Sequence, residues 1–452
     1  MKIDLRGADN ARDFSGITLP GDIKIGKGRM IRSNHLSSAT PEDVKLLKEY
    51  DLRLIIDLRT ETEAMQKPDV EIPGVEYINI PVFVESTIGI THENGTDKHA
   101  LGELEIPDMC LLYKKMVRDE FSKSQIKKIM SRIFVQDKGT VLWHCSEGKD
   151  RCGMISALVL LLLGVDKDDV LKDYLYTNNA AEKRSQAYYE NVIALTGDSE
   201  KAGRVRDAFL AKEEYFNSAI SYIFESYGDI DSYFVEGLGF SKEEIVTFRN
   251  TMIKKFTLDS QFDFFRELDK EKFIGRQTYL TDGIRKENDA EHAWHMSVMA
   301  LILKDYANEE IDLLKTISMI LMHDVVEIDA GDTYAYDEVN KKTQAEREMK
   351  AAERLYGMLP KEQAEYFMKL WLEFEEQKTP EARFARTMDN IQPMMLNDAT
   401  DGRAWLEHQV KKSQIMKRNE KTIDGSEVLW DYAKENFIDK NIRKGRIKEE
   451  KM

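Results

Sequence analysis

Residues 144–153 read His144-Cys145-Ser146-Glu147-Gly148-Lys149-Asp150-Arg151-Cys152-Gly153. A cysteine, five residues and an arginine are the parts of an in-line displacement at phosphorus. The Cys145 thiolate would attack, and the planar fork of Arg151 would hold two phosphoryl oxygens. Gly148 would let the backbone turn tightly, and Gly153 would permit close packing behind the loop. Asp150 could protonate a leaving alkoxide or phenoxide, and Lys149 would add positive charge at the rim. His144 could tune the cysteine. The plainer alternative, a buried cysteine followed by a helix-start arginine, leaves this interdependence unexplained.

A second set of residues follows. His292, the pair His323-Asp324, and the distant Asp389 make a mixed nitrogen and oxygen ligand set for one divalent metal: Mn, Co, Fe or Zn. Adjacent His323 and Asp324 diverge on an ideal helix, so both reach one ion only near a helix end or at its side. Glu327, four after His323 and three after Asp324, shares their face. It could activate the attacking water or protonate the leaving oxygen, while the metal neutralises charge.

These groups need elements to aim them. Thr140–Trp143 suits a buried strand and Met154–Val165 a helix, so the cysteine loop would join strand to helix. Such a loop aims backbone N–H groups and a helix N-terminus at one point, which attracts a dianion and depresses a thiol pKa. Leu54–Ile56 and Tyr77–Val84 read as further strands, and Pro41–Tyr50 and Glu120–Val135 as helices. The first half is thus an α/β domain with a parallel-centred sheet. Polar Ser86–Pro107 reads as an active-site loop or lid. Helical text follows: Asp169–Tyr176, Ala180–Thr196, Lys201–Tyr227 and Ser241–Lys255. Thr257–Ser260 is the best boundary, with Asp259 or Ser260 capping the next helix. This predicts domains at 1–257 and 258–452, the second all-α.

Composition narrows the function classes. The chain has 452 residues, 42% of them hydrophobic, which supports two ordinary cores. The longest apolar run, Met154–Val165, is too short for a bilayer and holds Ser156 and Gly164. With no apolar leader after Met1, this predicts a cytoplasmic protein without stable membrane insertion. Three cysteines make no disulfide framework. A net charge of −16 argues against a nucleic-acid partner. The basic cluster from Lys440 to Lys451 reads as a solvated helix end.

The loop His-Cys-x-x-Gly-Lys-Asp-Arg resembles the atypical tyrosine phosphatases of bacteria, which act on phosphotyrosine and phosphoinositides. Asn10–Gly16, Ile31-Arg32-Ser33, Asp57–Glu63 and the stretch Tyr227–Gly239 are similar to further elements of that family. The resemblance covers about residues 1–256. It implies Cys145 as nucleophile, Arg151 as phosphate binder, Asp150 as general acid and Lys149 as a contact for substrate charge, with no cofactor. Two positions depart from it. Cys152 stands where a Thr or Ser hydroxyl usually donates to the departing sulfur, and a thiol donates weakly. It would slow turnover, form a reversible disulfide with Cys145, or simply pack. Glu147 replaces a small residue and would disfavour highly charged substrates.

The second half resembles the HD-domain phosphohydrolases, most closely the branch with bacterial 5′-deoxynucleotidases. Arg285–His292 is like its Arg-x-Glu-x-x-x-Glu-His, and His323–Asp332 like its His-Asp-x-x-Glu-x-x-x-Gly-Asp. Coverage is roughly residues 261–415. The resemblance implies His292, His323, Asp324 and Asp389 as ligands, and Glu327 and Asp332 in water activation and proton transfer. It implies Arg285, and less strongly Arg276, as phosphate contacts. His295 falls outside the ligand set and reads as support or packing, and Trp294 as core or a border of the base pocket.

The expected function is a bifunctional phosphomonoester hydrolase. One half would cleave phosphotyrosine or phospholipid-type monoesters through a phosphocysteine. The other would hydrolyse (deoxy)nucleoside 5′-monophosphates with a divalent metal. Alternatives are a single cysteine phosphatase with a non-catalytic nucleotide-sensing HD module, and a phosphate-binding adaptor spoiled by Glu147 and Cys152. A sulfur-transfer or arsenate-reducing loop is a rival for the first half. Pairing into a homodimer through the HD domain stays open.

Overall fold

The structure, a computed structural model, describes residues 1–84, 107–136, 138–331 and 341–449. Asp332 and residues 86–106 of the expected loop lie outside the described residues. Contacts divide the chain into two compact units, Met1–Leu258 and Asp259–Met452. No helix among the described residues is long and apolar enough to cross a membrane.

The first unit is built on a five-stranded sheet. Its strands are β1 (Arg12–Asp13), β2 (Met30–Asn34), β3 (Leu52–Asp57), β4 (Glu76–Asn79) and β5 (Thr140–Cys145), in the order β1-β2-β5-β3-β4. All pairings are parallel except the edge pair β1–β2. Register sets Asn34 beside Cys145 and Asp57 beside His144, so the carboxyl ends of three strands share one edge. In open α/β sheets that edge is where ligands bind. The helix Asp150–Leu162 is apolar all round and buried from Arg151 onward, as a central helix must be.

The expected strand at Tyr77–Val84 stops at Asn79, because Pro81 cannot continue a ladder. The stretch Lys201–Tyr227 is two helices, Ser199–Phe209 and Glu213–Tyr227. Between them the Asn178 amide takes over both backbone groups of Ala211, at 2.7 and 2.9 Å. The expected cap at Asp259 or Ser260 is absent. One helix runs from Lys242 to Leu268, a span with neither Gly nor Pro to stop it.

The second unit is helical, around Asp289–Leu303, Leu313–Met322, Lys361–Glu376 and Pro380–Ala399. Among the described residues it carries one antiparallel ribbon, Gly275–Tyr279 with Lys286–Asn288. The segment after Lys411 belongs to its core, through Trp430, Ile438 and Ile447.

Candidate active sites

In the first unit, Cys145 closes β5 and the loop Ser146–Lys149 leads into the helix Asp150–Leu162. The loop's carbonyls are tied outward one by one. Ser146 O accepts from the His35 N–H at 3.4 Å, and Glu147 O from the Asn10 amide at 3.0 Å. The Arg32 guanidinium donates to Gly148 O at 2.8 Å and Lys149 O at 3.3 Å. In a trans peptide the following N–H points opposite to the carbonyl. The N–H groups of residues 147–150 therefore turn the other way, into a cradle for an anion. Arg32 is itself held by Asp173 at 2.7 Å, which also binds Arg12 at 2.9 Å. Gly148 adopts φ +66, and a Cβ there would lie 2.7 Å from the Ser33 and Asn34 backbone. At Gly153 a Cβ would meet the Tyr174 ring at 2.8 Å.

Burial pushes the Cys145 thiol up, but hydrogen bonding from the Cys152 thiol and the charge of Arg151 outweigh it. The net result brings Cys145 down to about 6. Cys152 is correspondingly raised well above the ordinary thiol value, by burial and by the Cys145 sulfur. Arg151 is held by Glu63, whose oxygens lie 2.5 and 2.8 Å from its two terminal nitrogens. Glu63 also accepts from Ser146 Oγ at 2.9 Å and from the Thr60 N–H at 2.8 Å. Asp150 Oδ1 accepts the Tyr113 hydroxyl, which touches the Tyr174 hydroxyl at 2.7 Å.

In the second unit, His292, His323 and Asp389 bring one potential ligand atom each within 4.8 Å of one another. The helix Leu313–Met322 ends just before His323, and the turn that follows swings Asp324 Oδ2 to 3.0 Å from His323 Nε2. Both imidazoles engage Nδ1: His323 with the Ile320 carbonyl at 2.8 Å, His292 with Gln392 Oε1 at 2.9 Å. Nε2 of His292 faces Asp389 Oδ1 at 3.1 Å. Two imidazoles presenting Nε2 beside two carboxylates suit a borderline divalent ion, so the residues fit a metal. Burial and the Arg276 charge lower His292 to about 4, which keeps its lone pair available. Glu327 is buried at the start of the short helix Glu327–Ala330.

The tyrosine phosphatase family profile matches residues 3–254, more than half of the chain. The chain belongs to the tyrosine phosphatase family. An HD domain matches residues 268–430. The two halves are thus a tyrosine-phosphatase domain and an HD-type metal-dependent phosphohydrolase domain. A tyrosine-protein phosphatase of Nostoc commune is 26% identical over 219 residues, 48% of this chain and 71% of that protein. A 5′-deoxynucleotidase of Bos taurus is 29% identical over 133 residues, 29% of this chain and 63% of that protein. A solved structure from Magnetospirillum magnetotacticum MS-1, described as a predicted metal-dependent phosphohydrolase, is 43% identical. It covers 42% of this chain and 95% of its own, with a TM-score of 0.41.

Several expected roles meet a different geometry in this tyrosine phosphatase. Lys149 is not at the rim. Its side chain is 1% exposed, and its ammonium donates to the Ala208 carbonyl at the end of Ser199–Phe209 and lies 3.2 Å from Asp150. A lysine there is drawn to the negative helix end. Glu147 is paired with Arg184 at 3.2 Å, which offsets its charge. His144 turns to Asp69 at 2.8 Å. The Arg151 fork faces Glu63, and its Nη2 also lies 3.3 Å from Ser146 Oγ. Arg285 is a surface residue bound to Glu291, whereas Arg276 reaches Asp324 at 2.7 Å and Asp289 at 3.0 Å. Trp294 is exposed.

Sequence reasoning gave no role to Glu63, Arg32 or Asp173, although the first two lie in motifs it noticed. It missed Arg386, which binds Asp389 at 3.0 Å and stacks on Phe374 at 4.3 Å. An arginine three before a ligand aspartate was the available signal. It also missed Glu271, a buried carboxyl pushed up to about 7 by burial and by Asp324.

Proposed function

We propose that the chain is a bifunctional phosphomonoester hydrolase with two independent reaction centres. The observation that carries the first is the loop Ser146–Lys149, with its carbonyls tied outward around a depressed Cys145. The Cys145 thiolate attacks phosphorus, forming the S–P bond as the ester P–O bond breaks. The inward N–H groups and Arg151 hold the equatorial oxygens. Asp150, oriented by Tyr113, protonates the leaving oxygen and then takes a proton from the water that cleaves the phosphocysteine. Cys152 donates to the departing sulfur. The substrate class is a phosphotyrosine or phospholipid-type monoester, and the name of the Nostoc relative supports the first of these.

In the second unit, His292, His323, Asp324 and Asp389 would hold one divalent metal. When bound it would neutralise phosphate charge and lower the pKa of the attacking water. Glu327 takes the water's proton, Arg276 orients the phosphate, and Asp332 is proposed to return a proton to the leaving oxygen. The substrate class is a (deoxy)nucleoside 5′-monophosphate, following the activity named for the bovine relative.

Selective inactivation tests this reading. Iodoacetamide should abolish phosphotyrosine-peptide cleavage and leave nucleotide hydrolysis intact, and a chelator should do the reverse. Loss of both activities under either reagent would contradict two independent centres.

A further inference from the structure

Gln392 lies on the same helix as Asp389, three residues on, and is fully buried between two other elements. Its Oε1 is 2.9 Å from His292 Nδ1. Its Nε2 donates to Glu287 Oε2 at 2.8 Å and lies 3.2 Å from His295 Nδ1. These three contacts use both ends of the amide. The Arg276 guanidinium stands 3.7 Å from Glu287 Oε1 and favours the carboxylate, which only accepts, so the edge of Gln392 that faces Glu287 is the NH₂ group. The amide oxygen is then the end that faces His292.

We infer that Gln392, its amide orientation fixed by Glu287, is a positioning residue that sets the tautomer of His292. An oxygen facing Nδ1 requires a proton on Nδ1, so Nε2, which faces Asp389 Oδ1 at 3.1 Å, is the nitrogen left to an ion. A flipped amide would offer a donor to Nδ1, move the proton to Nε2, and block ligation. Glu287, on the strand Lys286–Asn288, thus decides, through one amide, which nitrogen of His292 on the following helix can bind an ion. His295 accepts the second N–H of the amide, which gives that residue a supporting duty outside the ligand set.

The inference rests on the proposed ligation by His292, and its test has readouts besides activity. Long-range ¹H–¹⁵N spectra of histidine-labelled metal-free full-length protein should show His292 protonated on Nδ1. Gln392→Met should lose that preference and weaken Mn²⁺ binding, measured by calorimetry, by ~10- to 100-fold. The double variant Glu287→Gln with Gln392→Glu exchanges donor and acceptor, since residue 287 then donates and residue 392 accepts from both sides. It should restore affinity to within about threefold of the parent, by the same orientation argument. A parent His292 without a proton on Nδ1 would overturn the inference. So would unchanged Mn²⁺ affinity in a folded Gln392→Met protein, or failure of the folded exchange variant to recover. If the parent bound no Mn²⁺, the proposed ligation would fail, and the spectra would still decide the tautomer.

Discussion

Glu63 grips Arg151 by both terminal nitrogens, at 2.5 and 2.8 Å, while its backbone partner Thr60 makes it the third residue of a capping box. One carboxylate thus caps the start of a helix and fixes the arginine proposed to bind phosphate. The charge of Arg151 and its hydrogen bonds hold Glu63 ionised at about 2 against its burial.

Glu63→Gln should therefore lower kcat/KM for phosphotyrosine peptides by roughly a hundredfold, through misplacement of Arg151. It should also cost about 3–5 kcal/mol of stability, because a buried guanidinium loses its counter-charge. Kinetics and denaturant unfolding of the same variant check both. A variant with parent kinetics would remove Glu63 from the site.

The depressed Cys145 makes a pH prediction. Its pKa is lowered by Cys152 and Arg151 against burial, so the reactive thiolate is present above about pH 6 and lost below it. Iodoacetamide rates should rise through pH 6 and level off by neutrality. Cys152→Val removes the hydrogen-bond donor and should move the midpoint upward. A parent midpoint near the ordinary thiol value of about 8.5 would contradict the assignment.

The cysteine loop and the candidate metal ligands are legible in the sequence because each is a set of residue types that chemistry ties together. Cys145, Gly148 and Arg151 stand within seven residues, and His323-Asp324-Glu327 within five. Partners contributed by distant elements are not legible. Glu63 and Arg151 are 88 positions apart, and Gln392 and His292 are 100 apart. Lys149 shows the converse: its spacing suggested the rim, but the carbonyl at Ala208, 59 positions on, draws it inside. The missing break at Thr257–Ser260 has a local cause, since capping residues do not stop a helix whose neighbours all favour it.

Lys149 separates the two views of the loop. With its ammonium buried among carbonyls, Lys149→Met should reduce stability by about 1–3 kcal/mol by leaving buried acceptors unmet. KM should stay similar for singly and multiply charged phosphomonoesters. A rise in KM confined to multiply charged substrates, with unchanged stability, would return Lys149 to the rim.

The second unit separates its two candidate phosphate arginines, Arg276 and Arg285. Arg276 sits against Asp324 and should contact the phosphate. Arg276→Ala should cost ~10- to 100-fold in nucleotide hydrolysis, the worth of one charge-assisted hydrogen bond. Arg285→Ala, at the surface beside Glu291, should change it by less than about threefold, as an exposed pair contributes little. The opposite order would assign the phosphate to Arg285.

The most direct test of two centres in one chain uses reciprocal variants. Phosphate release is measured from phosphotyrosine peptide and from a panel of deoxynucleoside monophosphates, with Mn²⁺ or Co²⁺ reloaded. Cys145→Ser should lose only the peptide activity, and His323→Ala only the nucleotide activity. Loss of nucleotide hydrolysis in Cys145→Ser, or its survival in His323→Ala, would contradict the account.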